Sequence, residues 1–225
     1  MKSMKELLPT LDRLRSRAEM TKNVKPSDSG LEFMDVNLSQ IGYQAINEEV
    51  YSTIRAYGAL LRDGTAKKGL FLKGECGIGK SFGVECLAYL FEMPVFKPDD
   101  FASMYKELEG NMSELEKAVT TGCDFFERPQ SIVIDELGSR DTAKNFGETV
   151  DIMSDVIDMR YRAFLRDGVL TIITTNLSDR EIVERYGVRI EDRMHEMFFI
   201  KRVSGVSLRR DFALKNPTTI KKITA

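Results

Sequence analysis

The sequence has few of the residues on which metal sites and disulfide frameworks depend. It contains a single histidine, His195, so neither a metal site nor catalysis can be built on a histidine cluster. Its three cysteines, Cys76, Cys86 and Cys123, are odd in number and lack the spacing of a metal site. We therefore expect reduced thiols in a cytoplasmic protein rather than a disulfide framework.

Long apolar runs are also missing. The longest are short and interrupted, as at residues 69–72 and 131–134, whereas a membrane-spanning helix needs about 20 mostly apolar residues. Residues 1–9 are charged and lack the apolar core of a signal peptide. The formal net charge is only −2 over 225 residues, so overall charge does not indicate a nucleic-acid-binding protein. We expect no membrane partner.

What the sequence does contain is an alternation of strand-like and helix-like segments. The predicted strands are residues 69–73, 94–96, 131–134, 170–174 and 198–203. The predicted helices are residues 47–62, 81–91, 101–109, 113–120, 149–165, 179–186 and 189–197. This alternation predicts an α/β fold with a mostly parallel sheet covered by helices on both faces.

The ends of the chain differ in character from the middle. Residues 1–22 carry leucines at spacings of three and four, which predicts a short amphipathic helix, and residues 23–30 are polar and read as a linker. We therefore expect an N-terminal helix and linker over residues 1–30 and one main domain over residues 31–225.

The segment Gly74-Glu75-Cys76-Gly77-Ile78-Gly79-Lys80-Ser81 matches the phosphate-binding pattern G-x-x-x-x-G-K-[ST] at every fixed position. Glycines let backbone N–H groups converge on a phosphate chain, and the following helix adds its positive N-terminal end. The lysine reaches the β- and γ-phosphates, and the serine hydroxyl binds Mg²⁺. Because an apolar strand precedes the motif and a helix follows it, an ATP site is strongly favoured over an ordinary glycine turn.

A second motif places two carboxylates at the end of an apolar strand, in Ser131-Ile-Val-Ile-Asp135-Glu136. Asp135 would hold Mg²⁺, and Glu136 would activate the attacking water as general base. This pair favours hydrolysis over phosphoryl transfer to a small substrate. The next strand ends in Asn176, whose amide could orient the water or contact the γ-phosphate.

In this order the motifs resemble the AAA+ family, and more narrowly the DnaC-type helicase loaders and the IstB-type transposition helper ATPases. The resemblance covers roughly residues 31–212. It is carried by Val133-Ile-Asp-Glu-Leu-Gly138, Thr174-Thr-Asn-Leu177, Tyr186-Gly-Val-Arg-Ile190, Asp192-Arg-Met194 and Gly205-Val-Ser-Leu-Arg209. It implies a P-loop NTPase of the AAA+ type, a three-layer sandwich around a mostly parallel five-stranded sheet.

The resemblance also implies roles for two arginines. Arg193 resembles the arginine finger, which reaches the γ-phosphate bound to a neighbouring subunit, and Arg209 resembles the arginine that contacts phosphate within its own subunit. Arg189 and Arg210 are the nearby alternatives. A finger acting in trans requires an oligomer, which we expect to form when ATP and DNA are bound.

The expected site is therefore large. The catalytic candidates are Glu136, Asn176 and Arg193. The candidates for binding ATP are Gly74, Gly77, Ile78, Gly79, Lys80, Ser81, Phe82, Asp135 and Arg209. The candidates for binding Mg²⁺ are Ser81 and Asp135.

The sequence indicates the binding partners less specifically than it indicates the site residues. Residues 97–117 contain three basic and six acidic residues, which disfavours binding of DNA phosphates there. The basic residues lie at the ends, with seven against three acidic ones in residues 1–25 and seven against one in residues 201–225. These ends could contact DNA or an acidic partner, or could simply be solvated.

Three functions remain open on the sequence. The first is an ATPase that loads a replicative helicase on single-stranded DNA, as part of a primosome. The second is a helper ATPase that works with a transposase on duplex DNA. The third is a nucleotide-dependent binding switch with little turnover.

Overall fold

The computed structural model describes residues 47–124, 127–139, 142–145 and 148–208. The predicted N-terminal helix and linker therefore lie outside the described residues, as do Arg209, Arg210 and most of the basic C-terminal end. The strands are β1 Gly69–Gly74, β2 Val95–Phe96, β3 Ile132–Leu137, β4 Thr142–Asn145, β5 Glu148–Asp151, β6 Thr171–Thr175 and β7 Phe198–Val203. The helices are α1 Glu48–Arg62, α2 Lys80–Leu90, α3 Pro98–Glu107, α4 Met112–Thr121, α5 Ile152–Asp167, α6 Asp179–Tyr186 and α7 Val188–Met197.

Five strands form one parallel sheet in the order β2-β3-β6-β1-β7. The prediction of a mostly parallel five-stranded sheet is thus confirmed. Because β6 lies between β1 and β3, the segments that follow these three strands meet at one edge of the sheet. This edge carries the phosphate loop, the residue Asn176 and the two carboxylates.

Alternate side chains of each strand enter two apolar cores, one on each face of the sheet. On one face, Leu70, Leu72 and Ile172 pack with helices α1 and α2. On the other, Phe71 and Ile173 pack with helices α3 to α7. The result is three layers, because a parallel sheet with apolar residues on both faces must be covered on both.

Two helices begin three residues away from their predicted starts. Helix α3 begins at Pro98 rather than at residue 101, since proline is favoured in a first helical turn and Asp100 accepts a hydrogen bond from the Lys97 N–H at 2.6 Å. Helix α5 begins at Ile152 rather than at residue 149, because the Asp151 carboxylate caps the N–H groups of Met153 and Ser154.

The residues before α5 form a structure that the sequence pattern did not predict. Strands β4 and β5 pair antiparallel as a two-stranded hairpin, with Thr142 opposite Asp151 and Asn145 opposite Glu148. The hairpin separates the carboxylate-bearing strand β3 from α5.

At the edge of the sheet far from the phosphate loop, a buried arginine ties three segments together. Arg160 on α5 is fully buried, and burial lowers its pKa. Its guanidinium donates to the Thr171 hydroxyl and to the carbonyls of Val119, Thr120, Gln130 and Leu170. All its donors are satisfied by oxygens, which is what makes a buried guanidinium tolerable.

Among the described residues, no helix is long and apolar enough to cross a membrane.

Candidate nucleotide-binding site

The phosphate loop connects β1 to α2 and depends on its glycines. Gly77 has a φ of +82°, and a Cβ placed there would lie 2.4 Å from the Ser207 Oγ. Gly74 has a φ of +157°, and a Cβ there would lie 2.1 Å from the Val203 carbonyl oxygen. Any larger residue at either position would strain the backbone and clash with the segment at the end of β7.

Lys80 is the first residue of α2 and is buried, with 6% of its surface exposed. Its ammonium donates to the carbonyls of Gly74 and Glu75 and to the Asn176 Oδ1, each at 2.7 Å. Burial is the largest cause of the lowered pKa of Lys80. The ammonium is therefore held inside the loop by three oxygens, where an incoming phosphate could replace them.

The N-terminus of α2 is suited to bind an anion. Its N-cap is Gly79, which has no side chain to accept hydrogen bonds from the first turn. The orphan N–H groups and the positive helix end therefore remain available to a ligand. Ser81, in the same turn, is half-buried.

The two carboxylates of β3 lie at an irregular point of the sheet. The pairing of β3 with β6 shifts register between Ile134 and Leu137, and Glu136 has a φ of +63°. A non-glycine residue in this region is uncommon, and such strain is typical of functional sites. At this irregularity the two side chains differ in exposure: Asp135 is buried, with 1% of its surface exposed, and Glu136 is half-buried.

Thr174 on β6 joins the two acidic residues. Its hydroxyl donates to the Asp135 Oδ1 at 2.5 Å and accepts from the Glu136 N–H at 3.0 Å. One hydroxyl thus orients the Asp135 carboxylate and fixes the backbone from which the Glu136 side chain projects.

The Glu136 carboxylate is paired with a cation. The Lys97 Nζ, between β2 and α3, lies 2.7 Å from the Glu136 Oε2. This pair is partly solvated, with 33% of the Lys97 side chain and 43% of the Glu136 side chain exposed. In this arrangement the candidate general base is engaged by an ammonium group.

The donor set fits Mg²⁺ together with a nucleotide. Mg²⁺ keeps several waters and is usually bound by one or two protein oxygens plus phosphates. Ser81 and Asp135 supply a hydroxyl and a buried carboxylate of this kind. Within the described residues there is no cluster of three or more histidine, cysteine or acidic side chains that would hold a metal by itself.

The residue before α1 and the segment after β7 support the loop. The Asn47 N–H donates to the Ile78 carbonyl at 2.9 Å, and its side-chain amide donates to the Ser204 carbonyl at 3.3 Å. The Leu208 N–H donates to the Gly77 carbonyl at 3.0 Å. Arg209, outside the described residues, follows Leu208 directly in the chain.

The other predicted loop residues serve packing in the described structure. Ile78 is fully buried in the core between the sheet and α1–α2, and Phe82 packs against the same core. The side chains of both are thus directed to the scaffold, while their backbone groups belong to the loop.

Arg193 is not brought to this site. It lies on α7, pairs with Asp158 on α5 and stacks over Tyr161, with its guanidinium carbon 4.9 Å from the ring centroid. Only 18% of its side chain is exposed. Arg189, one turn earlier on the same helix, is exposed.

Three residues of the site were not singled out as candidates from the sequence: Lys97, Thr174 and Asn47. The sequence carried a weak signal for Thr174, which lies between the apolar residues of β6 and Asn176. Lys97 and Asn47 lie far in sequence from the site residues that they contact, Glu136 and Ile78, so no local pattern indicated those contacts.

No family model matches the chain, and no curated protein sequence matches it significantly. Solved structures do resemble it at low sequence identity. A candidate primosome component from Streptococcus pyogenes serotype M3 gives a TM-score of 0.51 at 17% identity, covering 72% of this chain and 82% of that one.

Two further structures resemble the chain to a similar degree. DnaI gives a TM-score of 0.53 at 16% identity, covering 69% of this chain and 86% of that one. AMPPCP-bound DnaA from Aquifex aeolicus gives 0.54 at 12% identity, covering 76% of this chain and 53% of that one. These likenesses establish the fold alone: the chain shares the α/β architecture of these structures, with its parallel five-stranded sheet, as the resemblance in the sequence implied.

Proposed function

We propose that this chain, whose fold is that of an AAA+ domain, binds ATP with Mg²⁺ and hydrolyses it in DNA replication, as a helicase loader or primosome component. One observation carries the enzymatic part. Three adjacent strands, β1, β6 and β3, deliver Lys80, Asn176 and the Asp135–Glu136 pair to one edge of the sheet. Such a convergence of phosphate-binding and carboxylate groups supports nucleotide hydrolysis.

Each residue has a separate task in this proposal. Lys80 exchanges its carbonyl partners for phosphate oxygens, and the first turn of α2 binds phosphate through its N–H groups. Ser81 and Asp135 hold Mg²⁺, which when bound neutralises charge on the phosphates. Glu136 accepts the proton of the attacking water once its carboxylate has left Lys97. Asn176, already within hydrogen-bonding distance of Lys80, orients that water or the γ-phosphate.

The proposed assembly gives Arg193 a role in trans. To reach a neighbouring site, its guanidinium must leave Asp158 and Tyr161, so contact between subunits has to replace those interactions. A guanidinium delivered in this way stabilises charge on the transferred phosphoryl group and can raise the rate about 10³- to 10⁵-fold. Arg209 would contact phosphate in its own subunit, and the Leu208–Gly77 hydrogen bond supports that placement.

The proposed role in DNA replication is supported by the similarity to a candidate primosome component, DnaI and DnaA, and by the sequence resemblance. Single-stranded DNA is the favoured partner, with a ring-shaped replicative helicase as the protein partner. A transposase acting on duplex DNA is the alternative that the same experiment addresses.

The test is steady-state ATP hydrolysis without DNA, with single-stranded DNA and with duplex DNA. The variants Glu136→Gln and Lys80→Ala run beside the wild type. We expect stimulation by single-stranded DNA, loss of turnover in both variants, and retained ATP binding in Glu136→Gln alone. Stimulation by duplex only would favour the transposition helper, and ATP binding without hydrolysis under any condition would favour a switch.

The role of Arg193 in trans has its own test. Lys80→Ala lacks a working nucleotide site but keeps Arg193, while Arg193→Ala keeps the nucleotide site. Each variant alone should be inactive, and mixing them should restore part of the activity by pairing an intact site with an intact arginine. Arg189→Ala is the control for the nearby alternative and should hydrolyse ATP without Lys80→Ala. If the Arg193→Ala variant alone hydrolyses ATP like the wild type at high protein concentration, the assignment is wrong.

A further inference from the structure

Lys73 is a buried cation with no part in the proposed chemistry. It is the penultimate residue of β1, immediately before the phosphate loop, and its side chain is only 5% exposed. Its ammonium lies 5.3 Å from the centroid of the Phe71 ring, on the face of the sheet away from α1 and α2. Burial, and after it the nearby Arg202, lower the pKa of Lys73. A buried ammonium is costly, so it requires a partner.

That partner is Asp179, the first residue of α6, which also pairs with Arg202 on β7. Helix α6 does not depend on Asp179 for its cap, because Ser178 and Glu181 form a reciprocal capping box. The pair of Lys73 with Asp179 therefore acts between segments, joining the strand that leads into the phosphate loop to the start of α6.

The segment between β6 and α6 is short, and two lysines hold it. At its beginning Asn176 accepts a hydrogen bond from Lys80, and at its end Asp179 pairs with Lys73. Lys73 lies immediately before the phosphate loop, and Lys80 lies at its end, as the first residue of α2. When a phosphate binds the Lys80 ammonium, the hydrogen bond from Lys80 to Asn176 is lost. The ion pair of Lys73 with Asp179 does not depend on phosphate.

We propose that Lys73 is a positioning residue, which through Asp179 holds the segment 176–179 in place so that Asn176 stays directed at the phosphate site. This inference rests on the proposed role of Asn176. It predicts that loss of Lys73 impairs the use of Asn176 more than it impairs the fold, because Asp179, the charge that Lys73→Met leaves behind, is 64% exposed and keeps its pair with Arg202.

The test begins with amide hydrogen exchange in the nucleotide-free protein, followed over a peptide that spans residues 175–181. In Lys73→Met we expect about tenfold faster exchange there, with an unchanged thermal unfolding midpoint. Asp179→Asn is the second variant, because its side chain is 64% exposed and the substitution is isosteric; it should speed exchange in the same peptide. Arg202→Gln is the control and should leave exchange unchanged, since Lys73 and Asp179 remain paired.

The rate of ATP hydrolysis then tests whether the position of segment 176–179 affects function. Lys73→Met should lower kcat about tenfold with ATP binding unchanged, as expected when a group is misplaced rather than removed. In the Asn176→Ala background the same substitution should have no further effect, because the residue being positioned is gone.

The outcomes separate this inference from the function on which it rests. If Asn176→Ala lowers turnover while Lys73→Met leaves both exchange and turnover unchanged, the positioning role is overturned and the role of Asn176 stands. If Arg202→Gln speeds exchange as much as Lys73→Met does, the assignment to Lys73 is wrong. If Asn176→Ala leaves turnover unchanged, the proposed role of Asn176 fails, and with it the effect of Lys73 on hydrolysis.

Discussion

Removal of Lys97, which pairs with Glu136, should raise the rate of hydrolysis, whereas removal of a charged residue beside a catalytic site usually lowers it. If Glu136 is the general base, its carboxylate must leave Lys97 before it can take a proton from water. Replacing Lys97 by Met removes this restraint and keeps the aliphatic length of the side chain. We therefore expect Lys97→Met to hydrolyse ATP faster than the wild type.

The size of the effect follows from the exposure of the pair. The two side chains are 33% and 43% exposed at an N–O distance of 2.7 Å. Ion pairs with this degree of solvation are worth about 0.2–1 kcal/mol. At about 1.36 kcal/mol per tenfold change in rate, release of Glu136 should raise kcat about 1.4- to 5-fold.

The assay is steady-state hydrolysis at saturating ATP, with KM and urea unfolding measured in parallel. KM and stability should change little, because the hydrogen bonds that the structure shows for Lys97 are with Asp100 and Glu136, outside the phosphate loop, and the pair with Glu136 is partly solvated. Lys106→Met, which removes an exposed lysine from α3, the helix that Lys97 precedes, is the control and should match the wild type. A fall in kcat on removal of Lys97 would refute the reasoning, since it would mean that the ammonium assists the reaction.

Two further predictions concern cysteine reactivity and stability. Cys76, exposed in the phosphate loop, should be the one thiol that reacts with a maleimide in the native protein, and Mg-ATP should protect it; Cys86 and Cys123 are buried, and burial raises the pKa of each to about 12. Mass spectrometry of the labelled peptides checks this, and labelling at an equal rate with and without Mg-ATP would contradict nucleotide binding at the loop. Arg160→Met should lower the free energy of unfolding by about 3–5 kcal/mol, because it leaves buried carbonyls without donors. Urea unfolding measures the loss, and a change below about 1 kcal/mol would show that water or repacking satisfies those carbonyls.

Much of the fold could be predicted because its signals are local. The apolar strand before Gly74 and the glycine pattern after it are properties of consecutive residues, and they predicted β1, the loop and the start of α2 to within one residue. Helix α6 and strand β7 were predicted with their observed boundaries, since a capping box begins the former and an apolar run marks the latter. The β4–β5 hairpin was missed because residues 142–151 show no strong alternation, and because pairing between strands depends on the chain that faces them.

The sequence by itself determined the residue types of the candidate site, because phosphate, Mg²⁺ and water each demand particular groups at fixed spacing. It could not determine which distant residues would complete that site. Only the tertiary structure, by placing β6 between β1 and β3, brought Asn176 to Lys80 and Thr174 to the two carboxylates. The same folding brought Lys97 to Glu136 and Lys73 to Asp179, and it held Arg193 against Asp158. These are contacts between charged or polar groups far apart in the chain, and their energies depend on burial and orientation, which only the packed structure sets.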